Sequence, residues 1–77
     1  MPHIRDLLNE IKWTKKLEKT EIWYVHRGAQ NDTMILSGAD IVSIGRSFLE
    51  TAAASIPYHR IFKIIYGKEI IFDRRKK

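Results

Sequence analysis

The chain has 77 residues, a net charge of +5 at neutral pH and no cysteine. A chain of this length has room for one domain, residues 1–77, whose small core buries about 60% of the unfolded surface. The lack of thiols excludes disulfides and thiolate catalysis and fits a reducing cytoplasm. We expect a soluble cytoplasmic protein without a membrane segment, because no apolar run approaches membrane-spanning length and the first residues lack the apolar core of a signal peptide.

The first predicted element is an amphipathic helix. Its apolar residues follow the spacing i, i+3, i+4 and i+7, which forms one stripe: Ile4, Leu7, Leu8 and Ile11. The helix is expected to end near Trp13. We expect the Trp13 ring to cover a small sheet as a lid, and the alternative is a platform on which a base stacks.

The segment from Glu21 to Arg27 is rich in β-branched and aromatic residues and predicts a central strand, because both of its faces carry apolar groups. A regular strand points His26 and Arg27 to opposite faces. These two side chains share a ligand only if the strand twists or stops before them, and Gly28 favours a stop. In the turn that follows, Asp32 either bonds its own backbone or orients His26 by accepting an N–H.

Two short strands, 33–36 and 40–44, follow, and the second is broken by Gly45. Arg46 then lies at a chain reversal, where its side chain is able to contact a phosphate. In residues 47–55, a run of three alanines favours a helix intrinsically.

The last predicted element is a hairpin. Residues 61–66 and 69–73 flank Gly67 and Lys68, and glycine at the first central position suits a two-residue type II′ turn. In that register three pairs of residues face each other: Ile65 and Ile70, Ile64 and Ile71, and Lys63 and Phe72.

The strands of the hairpin carry apolar residues on both faces, and one helix covers only one of them. Either the sheet curls on itself, or a second copy of the chain covers the far side as a homodimer. We predict an α+β fold, with the N-terminal helix packed on a strongly bent, mainly antiparallel β-sheet or partial barrel.

The positive charge is concentrated near the end of the chain. Residues 1–58 hold seven basic and seven acidic residues, whereas residues 59–77 hold seven basic residues against two acidic ones. A concentrated positive field indicates a polyanionic partner, most simply a nucleic acid. Residues 74–77, which include Arg74 and Arg75, either bind this partner or form a flexible basic tail.

Residues 56–61 form the most informative stretch. The apolar residue before proline favours extended backbone, so the chain arrives straight and then turns before the next strand. That turn places an aromatic ring, an imidazole and a guanidinium at the start of a strand. Two of the three histidines are followed by arginine at the edge of an element: His26-Arg27 and His59-Arg60. Both pairs either cap strands or converge on an anion.

Three segments occur in a characteristic order: 4–13, then 24–28 with Asp32, then 56–61. Together they resemble the RNA cyclic-group end recognition domain, a family of small archaeal and eukaryotic proteins. The resemblance covers nearly the whole chain, and its most specific parts are 26–28 and 56–61. It implies RNA binding, and it suggests a strand at 47–50 followed by a turn.

The chemistry of these residues suits an anion. An arginine fork fits the oxygens of a cyclic phosphate, an imidazole donates to phosphate or ribose oxygens, and Tyr58 is placed to stack on a terminal base. The first hypothesis is a module that binds single-stranded 3′ ends of RNA bearing a 2′,3′-cyclic phosphate, in RNA processing or repair. Its predicted binding residues are His26, Arg27, Arg46, Tyr58, His59, Arg60, Arg74 and Arg75.

Two alternatives stay open. In an enzyme, His26 and His59 act as acid and base on the cyclic phosphate. In a protein-interaction module, the histidines are structural and the basic end contacts an acidic partner. The sequence contains no glycine-lysine phosphate loop, no paired cysteines and no histidines at helical ligand spacing, so we expect neither a metal nor another cofactor. RNA-processing enzymes are further expected partners.

Overall fold

The structure is a computed structural model that describes residues 4–74. Within that range the chain forms one α-helix, α1 (Ile4–Thr14), and seven strands. The strands are β1 (Thr20–Val25), β2 (Thr33–Ser37), β3 (Ile41–Ile44), β4 (Phe48–Thr51), β5 (Ser55–Pro57), β6 (Ile61–Tyr66) and β7 (Glu69–Asp73). Single 3₁₀ turns precede four of these strands, at 17–19, 30–32, 38–40 and 58–60.

Helix α1 forms as the spacing predicts and buries Ile4, Leu8 and Ile11. The Thr14 hydroxyl donates to the Glu10 carbonyl at 2.6 Å in the last turn. The prediction that Trp13 covers the sheet is wrong, because 80% of its side chain is exposed. Trp13 follows Ile11 by two positions, which turns it about 200° around the helix axis and away from the core.

The four-stranded sheet has the order β2-β1-β6-β7, and all of its neighbouring strands are antiparallel. The predicted central strand is confirmed as β1, which pairs with β2 on one side and with β6 on the other. A β-bulge lies between Trp23 and Tyr24 where β1 meets β6. Such a bulge increases the local twist and bends the strand.

The β6–β7 hairpin turns at Gly67, whose φ of +64° is the positive angle that the first central residue of a type II′ turn requires. Ile65 faces Ile70, as predicted. Beyond that pair the predicted register is wrong, because Ile64 faces Phe72 and Lys63 faces Asp73. The physical reason is a bulge that adds Ile71 to β7, and periodicity alone does not reveal an extra residue.

The second sheet has the order β3-β4-β5 and settles the structure of residues 47–55. The strand and turn that the family resemblance suggests are confirmed, and the helix is not formed. The Thr51 hydroxyl accepts from the main chain of Ala53 at 3.3 Å and of Ala54 at 3.0 Å. It also donates to the Ala54 carbonyl at 2.9 Å. These local bonds close a turn that competes with the helix, and the strand buries Leu49 completely.

The core lies between α1 and the inner faces of both sheets. Its buried residues are Ile4, Leu8, Ile11, Ile22, Leu49, Ile56, Ile61 and Ile64. The predicted α+β class, a helix packed on antiparallel strands, is confirmed, although the strands form two sheets. Within residues 4–74 neither sheet closes into a barrel, and the outer face of the larger sheet leaves Ile35 and Ile70 about half exposed, at 52% and 54%. None of the helices described is long and apolar enough to cross a membrane.

Thr20 carries a buried polar atom without a hydrogen-bond partner in the described part of the chain. Only 1% of the residue is exposed, and its Oγ1 is unpaired. We expect Thr20→Val, which replaces the hydroxyl with a methyl group of similar size, to raise the free energy of unfolding by about 1 kcal/mol. Urea denaturation measures the change. A less stable Thr20→Val protein would show that the hydroxyl makes a bond in solution.

Candidate nucleic-acid interface

The pairing of β1 with β6 brings the two His-Arg pairs to one end of the larger sheet. The strands run antiparallel, and Tyr24 lies opposite Ile61. Strand β1 ends at Val25 and β6 begins at Ile61, so His26-Arg27 leaves the sheet at the same end at which His59-Arg60 enters it. The strand therefore stops before His26, which is the condition for this pair to reach a common ligand.

Strand β7 brings a further arginine to the same end. The main-chain N–H of Arg74 donates to the Phe62 carbonyl at 2.7 Å, and its Nη1 donates to the His59 carbonyl at 2.9 Å. The guanidinium carbon lies 5.8 Å from the centre of the Phe72 ring. Arg74 is thus joined to the turn that carries His59. Arg75 and the rest of the predicted tail, 75–77, lie outside the described residues.

Arg46 reaches this end through the reversal between β3 and β4. The Tyr58 hydroxyl donates to the Gly45 carbonyl at 2.6 Å, and the Tyr58 main-chain N–H donates to the Ser47 carbonyl at 3.4 Å. These bonds hold the residues on both sides of Arg46 against the residue that precedes His59. We call this end of the larger sheet, with the adjoining reversal, the basic end; it carries His26, Arg27, Arg46, His59, Arg60 and Arg74.

The six side chains of the basic end are all exposed. The His26 ring meets the Tyr24 ring edge-on, with 6.2 Å between their centres. The main-chain N–H of His26 donates to the Asp32 carbonyl at 2.9 Å and closes the loop between β1 and β2. Asp32 therefore acts on His26 through its main chain. Exposed cations and imidazoles carried on a closed loop and a closed turn are well placed to contact the phosphates of a ligand.

Tyr58 differs from the other predicted site residues because it is half-buried and packs against the core. Burial raises the pKa of its hydroxyl above the usual value, and the positive charge of Arg5 offsets part of this rise. The hydroxyl bond to Gly45 makes Tyr58 a support for the reversal at Arg46. Sequence order gave no indication that a cation from α1, Arg5, acts on this residue.

We expect Tyr58→Phe to lower the free energy of unfolding by about 1 kcal/mol at pH 7, because the Gly45 carbonyl loses its donor. The raised pKa means that the folded protein disfavours the ionised phenol. The stabilisation that the neutral Tyr58 hydroxyl contributes to the wild-type protein is therefore complete below pH ~10 and decreases above it. The difference in the free energy of unfolding between wild type and Tyr58→Phe should then narrow at higher pH. Thermal unfolding from pH 7 to 11 measures both effects. Equal stability at pH 7 would contradict the supporting role.

The described residues contain no group of three histidine, cysteine, aspartate or glutamate side chains that is able to hold a metal ion. The chemistry available at the basic end is that of guanidinium and imidazole groups. Guanidinium groups bind phosphate oxygens as bidentate donors, and an imidazole donates or accepts one proton at a time. The arrangement suits recognition of a phosphate group.

These features define a small α+β domain with a cationic end. The family model of the MJ1316 RNA cyclic group end recognition domain matches residues 1–74, and the chain belongs to this family. A UPF0248 protein of Methanococcus maripaludis is 37% identical over 76 residues, which cover 94% of this chain and 99% of that protein. UPF0248 proteins of Archaeoglobus fulgidus and Thermococcus kodakarensis are 33% and 31% identical, covering 87% and 95% of this chain and 99% and 93% of their own lengths. No solved structure matches the chain.

Proposed function

We propose that this protein binds the 3′ end of single-stranded RNA and prefers an end that carries a 2′,3′-cyclic phosphate. The observation that carries the proposal is the antiparallel pairing of β1 and β6, which brings His26-Arg27 and His59-Arg60 to one end of the sheet. The name of the family agrees with this ligand. We also propose that the protein acts in RNA processing or repair in the cytoplasm, with RNA-processing enzymes as its partners.

The cyclic phosphate presents one negative charge on two unbridged oxygens, and a guanidinium fork matches these two oxygens. The imidazoles of His26 and His59 supply donors for the ribose and phosphate oxygens. In this arrangement Arg46 and Arg74 lie beside the end group and contact the phosphates that precede it in the RNA. Binding of this kind weakens with salt, because the cations release counterions from the RNA.

Three labelled RNA oligonucleotides of one sequence test the proposal, with a 2′,3′-cyclic phosphate, a 3′-phosphate or a 3′-hydroxyl at the end. Fluorescence anisotropy at fixed salt should give the tightest binding for the cyclic end. Equal affinity for all three would overturn end recognition and leave general RNA binding. Analysis of the recovered RNA separates binding from catalysis, because only an enzyme opens the ring during incubation.

A further inference from the structure

The outer face of the larger sheet carries a groove beside the basic end, with a volume of about 390 Å³. Two aromatic side chains, Trp23 and Phe62, and the aliphatic Ile35 line it together with polar groups from the loop before β2, from the start of β2 and from β6. The polar side chains are Gln30, Asn31, Thr33 and Lys63. Since Ile22, one position from Trp23, is fully buried on the inner face, Trp23 points to the side of the sheet that α1 does not cover.

The indole ring in this groove is held in place from two directions. Its Nε1 donates to Glu21 Oε1 at 3.3 Å, and the Lys63 ammonium lies 4.6 Å from the centre of the ring. Trp23 and Lys63 are also direct cross-strand partners. The ammonium thus lies over one face of the indole. Single-stranded nucleic acid binders combine an aromatic ring, on which a base stacks, with cations that contact the phosphates.

The polar side chains of the groove match the edges of a base. The amides of Gln30 and Asn31 each offer donors and an acceptor, and the Thr33 hydroxyl offers both. The volume lies within the range of about 300–1,000 Å³ that is usual for small-molecule sites. A purely apolar partner would leave these amides and the ammonium without bonds, so the groove favours a planar ligand that is polar at its edge.

The groove adjoins the basic end through direct contacts. The Phe62 carbonyl accepts from the main chain of Arg74, whose guanidinium is bonded to the His59 carbonyl. Gln30 and Asn31 belong to the loop that begins at His26. An RNA strand whose end group lies among the cations of the basic end is therefore able to pass next to the groove.

We propose that this groove is a base-stacking subsite, in which Trp23 stacks on a nucleobase at or next to the 3′ end of the bound RNA. The amides of Gln30 and Asn31 contact the edge of that base, and Lys63 contacts an adjoining phosphate. This inference rests on the proposed function for the position of the strand, and it adds a second point of contact.

The protein's two tryptophans allow a direct test by fluorescence. In a Trp13→Phe protein, Trp23 is the remaining indole, and titration with short cyclic-ended RNA should quench its emission. The same RNA with abasic residues at its last two positions should bind without that quenching. Emission that stays unchanged while the normal RNA binds would overturn the subsite. The Trp23→Phe protein, which keeps the exposed Trp13, is the matched control and should show little quenching.

Affinity gives an independent readout. Trp23→Ala should weaken binding of cyclic-ended RNA roughly 5- to 100-fold and leave binding of the abasic RNA unchanged. Equal losses of affinity for both RNAs would overturn the subsite. Emission of the Trp13→Phe protein that changes with protein concentration before RNA is added would also overturn it, because this face of the sheet would then join two copies of the chain. Quenching without a preference for the cyclic end would leave the subsite standing and overturn the proposed end recognition alone.

Discussion

Replacing Leu8 with alanine should lower the free energy of unfolding by about 2–5 kcal/mol, the range for a fully buried leucine. Leu8 is 0% exposed and belongs to the core that joins α1 to both sheets. Because a domain of this size has a total stability on the order of 5–10 kcal/mol, the loss would be a large share of it. Urea denaturation followed by circular dichroism measures the change.

The matched control for Leu8→Ala lies in the same helix. Trp13→Ala removes a larger side chain, but that side chain is 80% exposed. Its effect should stay within about 0.5 kcal/mol, as is usual for surface positions. A large loss from Trp13→Ala would show that the ring packs against the protein in solution, as a lid over the sheet requires.

The second large effect concerns RNA. The double variant Arg27→Ala/Arg60→Ala should bind cyclic-ended RNA at least about 100-fold more weakly, since each charge-assisted bond to phosphate is worth about 1.5–3 kcal/mol. The slope of the logarithm of the binding constant against the logarithm of the salt concentration should also become shallower, by about 0.7 for each phosphate that the variant no longer neutralises. Anisotropy titrations at several salt concentrations measure both quantities. Both arginines are exposed, so the thermal midpoint should change little.

The opposite end of the same two strands supplies a control of equal charge. Lys19 directly precedes β1 and Lys68 lies in the β6–β7 turn, and the Gly67 main chain bonds the Lys19 carbonyl at 2.9 Å. Lys19→Ala/Lys68→Ala also removes two positive charges and leaves the basic end intact. This variant should keep most of its affinity and its preference for the cyclic end. Equal losses in the two double variants would mean that RNA responds only to the overall charge of the protein.

The arrangement of the candidate site was only partly predictable from the sequence. From the sequence, the repeated His-Arg pairs either cap strands or share a ligand, and only the pairing of Tyr24 with Ile61 brings the two pairs to one end. The groove at Trp23 was missed, because its walls come from segments that are far apart in the chain. Alternation in β1 does place Trp23 and the buried Ile22 on opposite faces of the strand. It does not show that Lys63 is the cross-strand partner of Trp23.

Local patterns determined the elements that the spacing of neighbouring residues reveals. The apolar stripe of α1 and the glycine turn at Gly67 depend on the spacing of neighbouring residues, and both were predictable. Tertiary structure decided the rest. Residues 51–54 form a turn despite their alanines, because the Thr51 hydroxyl bonds the main chain and Leu49 is buried in the strand before it. The bulges in the larger sheet likewise depend on how whole strands pack, since one extra residue shifts every later pair and leaves no periodic signal.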